Sequence, residues 1–206
     1  MSHFILKRDL PLWYEARPWL DVRSNDEHTL YAYRIGQALL EVDKTADPAI
    51  VLPAIMLHDI GWKKLPEDKL TQAIGPSPKY PELVRVHEVE GAKIAAEILE
   101  RQTDISFNIQ HITDIIDGHD TRPEAISNED ALMKDADKLW RYTRHGIIKM
   151  EGWFKKTHAE IHDILVDFVT PQLLSDAGRS LAQAYLASSE ADLHLNALMA
   201  LEKNDD

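Results

Sequence analysis

The chain has 206 residues, of which 44% are hydrophobic and 28% charged, and its formal net charge at pH 7 is −12. This length suits one domain, or one domain with an extension, and provides enough core to fold without covalent or metal cross-links. The absence of cysteine excludes disulfides, thiolate metal sites and cysteine nucleophiles, and the negative charge argues against general binding to nucleic acid.

The chain shows no segment suited to a membrane. No apolar run approaches the roughly 20 residues of a membrane-spanning helix, and the longest one, 49–57, contains Pro53. Residues 1–12 carry charges and lack the apolar stretch of a signal peptide. These features predict a cytoplasmic protein that does not enter a membrane.

The hydrophobic pattern is helical almost throughout, and strand-type alternation is absent over any useful length. A first helix is predicted to begin at Ser24, because Ser24 and Glu27 have the spacing of a capping box. A mostly apolar stripe then follows at helical spacing, formed by His28, Tyr31, Ala32, Ile35 and Leu39. His28 is therefore a metal-binding type of side chain on an otherwise apolar face.

A second helix is predicted from Asp47 and Pro48, with Asp47 as N-cap and proline at the first helical position. It is apolar on all sides, which predicts the buried central helix, and Gly61 is expected to stop it. His58 and Asp59 lie at its end, where a turn at Gly61 lets both side chains reach one cavity. Alternatively, Asp59 merely ends the helix, although an acid at a helix C-terminus opposes the helix dipole.

Residues 62–82 predict a loop, and a candidate lid, because they contain Pro66, Gly75, Pro76, Pro78 and Pro81. Three further helices are predicted over about 83–101, 104–117 and 128–145. They carry or precede three more polar side chains, His87, His119 and Asp137. Residues 147–203 predict two or three amphipathic helices around Pro171 and Gly178, without obvious chemistry, as a packing cap or dimer surface.

Six side chains that can bind a metal thus lie on five apolar segments: His28, His58, Asp59, His87, His119 and Asp137. A lone buried histidine is usually a core residue, but six such groups form a more specific pattern. Burial of unpaired carboxylates is costly, so Asp59 and Asp137 call for a cation. Imidazole and carboxylate suit a divalent ion in a chain without thiolates, so the pattern predicts a metal centre.

The order of these motifs resembles that of the HD-domain superfamily of metal-dependent phosphohydrolases. The resemblance covers about residues 24–145 and rests on Glu27-His28, His58-Asp59-Ile60-Gly61 and Ala136-Asp137-Lys138-Leu139. It implies an all-α fold, an HD-domain helical bundle with additional C-terminal helices, in a single domain spanning residues 1–206. It also implies that His28, His58, Asp59 and Asp137 bind a first divalent ion.

A subset of the superfamily binds a second metal through two further histidines, with the paired aspartate, here Asp59, bridging the ions. His87 and His119 stand where those ligands are expected. Alternatively, His87 is a core histidine and His119 a surface residue of a loop. The resemblance therefore implies one or two divalent ions, drawn from Mn, Fe, Mg, Co, Ni and Zn.

The implied activity is hydrolysis of a phosphoester or phosphoanhydride of a small molecule or nucleotide by metal-activated water. The residues expected to act in catalysis are Asp59, Lys63, Lys64, Arg141 and Arg144. Arg141 and Arg144 follow Asp137 by one and two helical turns and, like the two lysines, are candidate phosphate contacts. The lysines can also be ordinary surface residues, and Arg141 can pair with an acid instead. Glu27, Asp120 and Lys138 are further candidates, the two acids as proton shuttles and the lysine as a phosphate contact.

Two other functions are compatible with the same residues. Some members of the superfamily hold two irons and use O₂ to oxidise a small polar substrate. Others bind a ligand without turnover, although such modules often lack part of the ligand set. The expected partner is a small molecule, phosphorylated if the chain is a hydrolase, and the C-terminal extension is a candidate homodimer surface.

Overall fold

The computed structural model describes residues 4–75 and 77–202, so Pro76 of the predicted loop lies outside the described residues. Within these ranges the chain forms nine α-helices joined by short 3-10 and π segments, and no β-strand. The all-α fold class predicted from the sequence is confirmed. The helices are α1 (Leu10–Ala16), α2 (Asn25–Val42), α3 (Pro48–Leu57), α4 (Glu82–Glu100), α5 (Ile109–Ile116), α6 (Asn128–Leu139), α7 (Arg144–Phe154), α8 (His158–Ile164) and α9 (Asp176–Glu202). None of these described helices combines the length and the apolar character needed to cross a membrane.

Helix α3 forms the buried centre of the molecule. It packs against α1, α2, α4, α5 and α6, and its residues from Ile50 to Leu57 are all buried. The carboxylate of Asp47 accepts a hydrogen bond from the Ala49 amide at 2.7 Å, and Pro48 occupies the first turn, as the sequence predicts. Because other helices surround α3 on all sides, the residues at its end lie in the middle of the bundle.

The end of α3 differs from the sequence prediction. The helix stops before His58, and a 3-10 segment follows over Ile60–Lys64. Gly61 does not stop the helix; a Cβ there would lie 1.9 Å from the His87 carbonyl oxygen. Across the same contact, a Cβ on Gly91 would lie 3.1 Å from the His58 carbonyl oxygen. The glycine is required because α4 and the segment after α3 touch backbone to backbone.

The predicted capping box at the start of α2 does not form. Ser24 has a left-handed backbone conformation (φ 58°), as does Arg23 before it (φ 56°). The Ser24 hydroxyl accepts a hydrogen bond from Lys149 at 3.0 Å, and the Glu27 carboxylate pairs with Lys149 at 2.7 Å and with His145 at 3.0 Å. The two side chains therefore bind α7 rather than each other. Consecutive non-glycine residues in the left-handed region are uncommon and mark a strained turn.

Two helices are shorter than predicted, because side-chain caps start new elements. The Asn108 side chain accepts a hydrogen bond from the His111 amide at 3.2 Å, so α5 begins at the residue after this cap. After α6, a 3-10 segment over Trp140–Tyr142 leads to α7, whose N-cap is Thr143. This break corrects the single helix predicted over about 128–145. It also separates Arg141 from Arg144, which consequently do not share one helical face.

The C-terminal residues form α7, α8 and α9, with a π segment (Leu165–Val169) and a 3-10 segment (Thr170–Gln172) between the last two. Asp135 of α6 attaches this extension to the bundle. Its carboxylate accepts hydrogen bonds from the Leu174 amide (2.8 Å), the Ser175 amide (2.8 Å) and the Ser175 hydroxyl (2.6 Å). The residue that holds the extension, Asp135, thus lies two positions before Asp137 in the sequence.

The N-terminal helix α1 is absent from the sequence prediction. It packs on α3 and α4. Tyr33 of α2 holds the residue just before it, because the Tyr33 hydroxyl donates to the buried Asp9 carboxylate at 2.5 Å. Asp9 and Tyr33 are 24 residues apart in the sequence, so a local sequence window does not reveal this contact.

Candidate metal centre

Four side chains meet where α2, the end of α3 and α6 converge, and we call them the first ligand group: His28, His58, Asp59 and Asp137. The Nε2 atoms of the two histidines are 3.0 Å apart. His28 Nε2 lies 3.2 Å from Asp137 Oδ1 and 3.5 Å from Asp59 Oδ2. His58 Nε2 lies 3.5 Å from Asp59 Oδ1 and 3.6 Å from Asp137 Oδ1. All four residues are buried.

Asp59 also belongs to a second ligand group, formed with His87 of α4 and with His119 and Asp120, which follow α5. The Nε2 atoms of His87 and His119 are 3.3 Å apart, and they lie 3.7 Å and 3.9 Å from Asp59 Oδ1. Asp120 Oδ2 lies 3.7 Å from each of these nitrogens. The carboxylate of Asp59 therefore lies between two pairs of histidines.

The spacing within both groups suits ligands of a shared ion. Nitrogen and oxygen ligands about 2.1 Å from a divalent ion are about 3.0 Å apart at right angles and about 3.4 Å apart in a tetrahedron. The separations are 3.0 to 3.6 Å in the first group and 3.3 to 3.9 Å in the second. The two groups are thus each compatible with one divalent ion.

The ring orientations present lone pairs to this centre. His58 Nδ1 lies 2.7 Å from the Ile55 carbonyl oxygen, and His119 Nδ1 lies 2.8 Å from the Ile116 carbonyl oxygen. Because a carbonyl oxygen only accepts, each Nδ1 carries the hydrogen and each Nε2 presents its lone pair to the centre. Asp137 Oδ2 is buried and has no hydrogen-bond partner among the described residues. A buried set of converging acceptors is what a divalent cation requires.

The charges of the first ligand group also favour a cation. Burial alone would lower the pKa of His58, but Asp59 and Asp137 outweigh it and raise that pKa to about 9, so a metal ion bound at Nε2 would take the place of a proton. Burial would likewise raise the pKa of Asp59, but the neighbouring His58, His28 and Arg23 hold it below its ordinary value. The carboxylates therefore stay charged in a buried position and attract positive charge.

Glu88 holds the turn that carries part of the second ligand group. It is fully buried, and its carboxylate accepts hydrogen bonds from the Asp120 amide (2.8 Å), the Thr121 amide (2.7 Å) and the Thr121 hydroxyl (2.6 Å). Arg85, one turn earlier on α4, donates to the same carboxylate at 3.0 Å. Glu88 thereby fixes His119 and Asp120 opposite its own neighbour His87.

Trp62 supports the centre from the other side. Its indole Nε1–H donates to Asp59 Oδ1 at 2.9 Å, and its ring stacks on His87 with the ring centroids 4.0 Å apart. The guanidinium of Arg23 lies over the same indole, 4.7 Å from the ring centroid. The Nε and Nη1 atoms of Arg23 are buried without a hydrogen-bond partner among the described residues. Burial lowers the pKa of Arg23, and the charge of Asp59 partly offsets this effect.

A cavity of about 220 Å³ adjoins the second ligand group. Its charged wall consists of Arg23, Asp120, Lys138 and Arg141. Arg141 donates to the Asp137 carbonyl oxygen at 2.9 Å, and its Nη1 lies 3.5 Å from Asp137 Oδ2. Three cationic side chains thus face an open space beside the clustered carboxylates.

Three residues that the sequence suggested as phosphate contacts lie elsewhere. Lys63 donates to the Asp21 carbonyl oxygen at 3.1 Å, and the Lys64 ammonium lies 5.1 Å from the Trp19 ring centroid. Arg144 begins α7 and is exposed. These three residues are not among those that line the cavity. The 3-10 segment after Asp59 turns the lysines outward, and the break after α6 redirects Arg144.

The sequence prediction missed three features of this region. Nothing in the local sequence identified Arg23, because its position depends on the left-handed turn before α2. Glu88 was not given a role, although it adjoins His87. Asp120 was suggested as a proton shuttle, whereas the structure groups it with His87 and His119. The adjacency of His119 and Asp120, which repeats that of His58 and Asp59, is the signal that could have indicated this.

A model of the protein family described as HD domain matches residues 25–141 of this chain. The matched range contains both ligand groups together with Arg141, and it excludes α7, α8 and α9. No curated protein and no solved structure matches the chain.

Proposed function

Since this chain belongs to the HD domain family, whose superfamily includes metal-dependent hydrolases, we propose that it cleaves a phosphoester or phosphoanhydride of a small molecule. The observation that carries this proposal is the position of Asp59. Its two carboxylate oxygens lie 3.5 to 3.9 Å from the Nε2 atoms of His28, His58, His87 and His119. A carboxylate between two histidine pairs is suited to bridge two divalent ions.

The first ligand group would hold one ion, and the second ligand group would hold the other. When bound, such ions supply a nucleophilic hydroxide at neutral pH and draw charge from the phosphoryl oxygens. The chain's own contribution is to fix the ligands. Backbone carbonyls set the ring orientations of His58 and His119, Trp62 holds Asp59, and Glu88 holds the turn with Asp120.

The cationic wall of the cavity would bind the phosphate. Arg141 lies against Asp137, and Arg23 lies over Trp62, so the two guanidinium groups approach the centre from different elements. Arg23 lines the cavity, and its planar guanidinium matches the geometry of a phosphate group. Lys138 adds a third positive charge on the same wall.

The test is hydrolysis of nucleotides and simple phosphoesters in the presence of Mn²⁺, Mg²⁺, Fe²⁺, Co²⁺ or Ni²⁺. We expect metal-dependent release of phosphate, which Asp59→Ala lowers by more than about a hundredfold through loss of the shared ligand. The matched control is Asp176→Ala, which removes a carboxylate that is 98% exposed at the start of α9. Activity that survives unchanged in Asp59→Ala would overturn the proposal.

The same assay separates the hydrolase from the two other functions that the ligand set allows. Uptake of O₂ that depends on substrate in the iron-loaded protein, without phosphate release, would identify an oxygenase. Binding of a phosphorylated ligand without turnover under any metal would identify a ligand-binding module. Either result would replace the proposed function.

A further inference from the structure

The cavity beside the second ligand group has a charged wall and an apolar wall, and the C-terminal extension contributes to the apolar wall. The charged wall comes from the part of the chain matched by the family model, together with Arg23 just before it. The apolar wall has two parts: one comes from the family-matched residues Ala73, Ile74, Pro78, Pro81, Val84 and Trp140, and the other comes from the C-terminal extension, to which the sequence assigned no chemistry. Its members from that extension are Met150, Trp153, Phe154, Ile164, Phe168 and Val169.

The two walls form one continuous space. The Trp153 ring lies 5.5 Å from the guanidinium carbon of Arg23, so the aromatic wall begins next to the candidate phosphate contacts. Phe154 packs against Gly75 of the segment 62–82, where a Cβ on Gly75 would lie 2.8 Å from the Phe154 ring. A molecule that reaches the cationic groups therefore has its remaining atoms against these rings.

The apolar wall offers few hydrogen-bond partners to a polar molecule. Away from Arg23, Asp120, Lys138 and Arg141, Gln172 is the one polar side chain among the described residues that line the cavity. Phe168 is 47% exposed although it is a large apolar side chain. Concave sites lined by aromatic side chains with a few polar groups at one end are typical of small-molecule sites, in which an apolar body is desolvated.

The size of the cavity limits the apolar body. An apolar protein cavity of about 150 Å³ accommodates benzene. At about 220 Å³, the cavity accommodates one ring and a short linker beside the charged wall. A sugar would leave most of its hydroxyl groups against carbon, where the loss of hydrogen bonds to water is costly.

We propose that the C-terminal extension makes the chain selective for phosphomonoesters whose organic part is a single aromatic ring on a short linker. The ring would pack between Trp153 and Phe168, while the phosphate lies against Arg23 and Arg141. This inference rests on the proposed function for the reaction, but the binding preference stands on the cavity alone.

The test compares 2-phenylethyl phosphate with ethyl phosphate, whose leaving alcohols differ little in acidity, in the Mn²⁺-loaded full chain. Calorimetric binding of the matching non-hydrolysable phosphonates is measured beside turnover. Because burial of a ring removes its apolar surface from water, we expect at least about a tenfold lower KM and Kd for the phenylethyl compound. The kcat values should be similar, since the reacting group is the same.

Two cavity variants and two surface variants localise the preference. Phe168→Ala and Trp153→Leu should each reduce the preference for the phenylethyl compound several-fold. Val166→Ala and Ile148→Ala, which alter exposed side chains of the same π segment and the same helix, should preserve it. Phe168 is half exposed, so its removal leaves the core intact.

Each outcome decides one of the two proposals. Hydrolysis of both esters without a preference, or a preference that both cavity variants retain, overturns the selectivity and leaves the hydrolase. A binding preference that the cavity variants lose, with no hydrolysis of these esters or of the nucleotides and phosphoesters tested with the five metals, supports the apolar site and overturns the hydrolase. The absence of any hydrolysis in both sets of compounds, together with the absence of a binding preference, would overturn both proposals.

Discussion

At the residue scale, Asp59 and Arg23 differ in how far the sequence indicates their place in the site. Asp59 sits in a local string, His58-Asp59-Ile60-Gly61, that indicates its role directly. Arg23 reaches the same region only because two consecutive residues adopt a left-handed backbone before α2. The unpartnered guanidinium atoms of Arg23 then mark it as a binding group more clearly than any sequence pattern does.

Replacement of Arg23 tests that assignment. We expect Arg23→Gln to raise the KM for a phosphoester by about ten- to a hundredfold, because it removes charge-assisted hydrogen bonds to the phosphate. The bound metal, measured by elemental analysis, should not change, since Arg23 belongs to neither ligand group. Arg144→Gln removes the same charge from the exposed start of α7 and should leave the KM as in the wild type. Equal effects of the two substitutions would show that only the net charge matters.

The candidate ligand set is the part of the site that could be predicted from the sequence. His28, His58, Asp59, His87, His119 and Asp137 are polar groups on or beside apolar faces, and the structure brings all six together. Lys63, Lys64 and Arg144 were misplaced because closeness along the chain says little about direction after a 3-10 turn or a helix break. The long-range contacts of Glu88 with residues 120–121 leave no local signal at all.

At the scale of elements, the contact between α4 and the segment after α3 sets the distance between the two ligand groups. Gly61 faces the His87 carbonyl, and Gly91 faces the His58 carbonyl. The two backbones can approach because neither glycine has a side chain at the contact. This close approach places His87 of α4 near Asp59.

Gly61→Ala should therefore destabilise the protein. A Cβ placed 1.9 Å from a backbone oxygen forces the two elements apart, and overpacking of this kind costs about 1–3 kcal/mol or more. Gly152→Ala is the matched control, since nothing lies within 4 Å of a Cβ there and alanine favours the interior of α7. Thermal unfolding should show a lower Tm for the first variant and an equal or higher Tm for the second. An unchanged Tm in Gly61→Ala would contradict the close contact.

Glu88→Gln should weaken the second ligand group and spare the first. The amide replaces an anionic acceptor of four hydrogen bonds, so the turn with His119 and Asp120 loses its fixed position. Substitution of such supporting residues typically lowers metal affinity by about 10- to 100-fold. Titration with Mn²⁺ should show one weakened site and one unchanged site. The control variant Glu90→Gln, which changes a partly exposed carboxylate paired with Lys93 on the same helix, should behave like the wild type. Equal weakening of both sites would argue against a role confined to this turn.

The element boundaries explain the remaining differences from the sequence prediction. The core helix α3 was predictable because Asp47, Pro48 and an unbroken apolar run all indicate it. The ends of α5 and α6 were not, since the caps Asn108 and Thr143 look like ordinary polar residues within a helical pattern. Helical periodicity locates the faces of helices better than it locates their ends.

At the scale of the whole molecule, the ligand groups connect five parts of the chain. They join α2, the end of α3, α4, the turn after α5, and α6, while α7 to α9 contribute no member. Since these parts separate on unfolding, an ion held by them binds the folded state and stabilises it. The C-terminal extension instead contributes part of the apolar wall of the cavity.

Metal binding should consequently raise the thermal stability of the whole domain. With free Mn²⁺ at a hundred times the Kd, the stabilisation is about 2.7 kcal/mol, which corresponds to roughly 5 to 10 °C in Tm for a chain of this size. Differential scanning fluorimetry with and without Mn²⁺ measures this shift. The shift should be much smaller in Asp137→Asn and should persist in Asp176→Asn, whose carboxylate is exposed.

The most direct measurement of the central claim is an anomalous difference map from crystals of the full chain grown with Mn²⁺. We expect two peaks about 3.5–4 Å apart, one among His28, His58, Asp59 and Asp137 and the other among Asp59, His87, His119 and Asp120. A single peak in the first group would restrict the account to one ion. The absence of any peak between these side chains at saturating Mn²⁺ would contradict it.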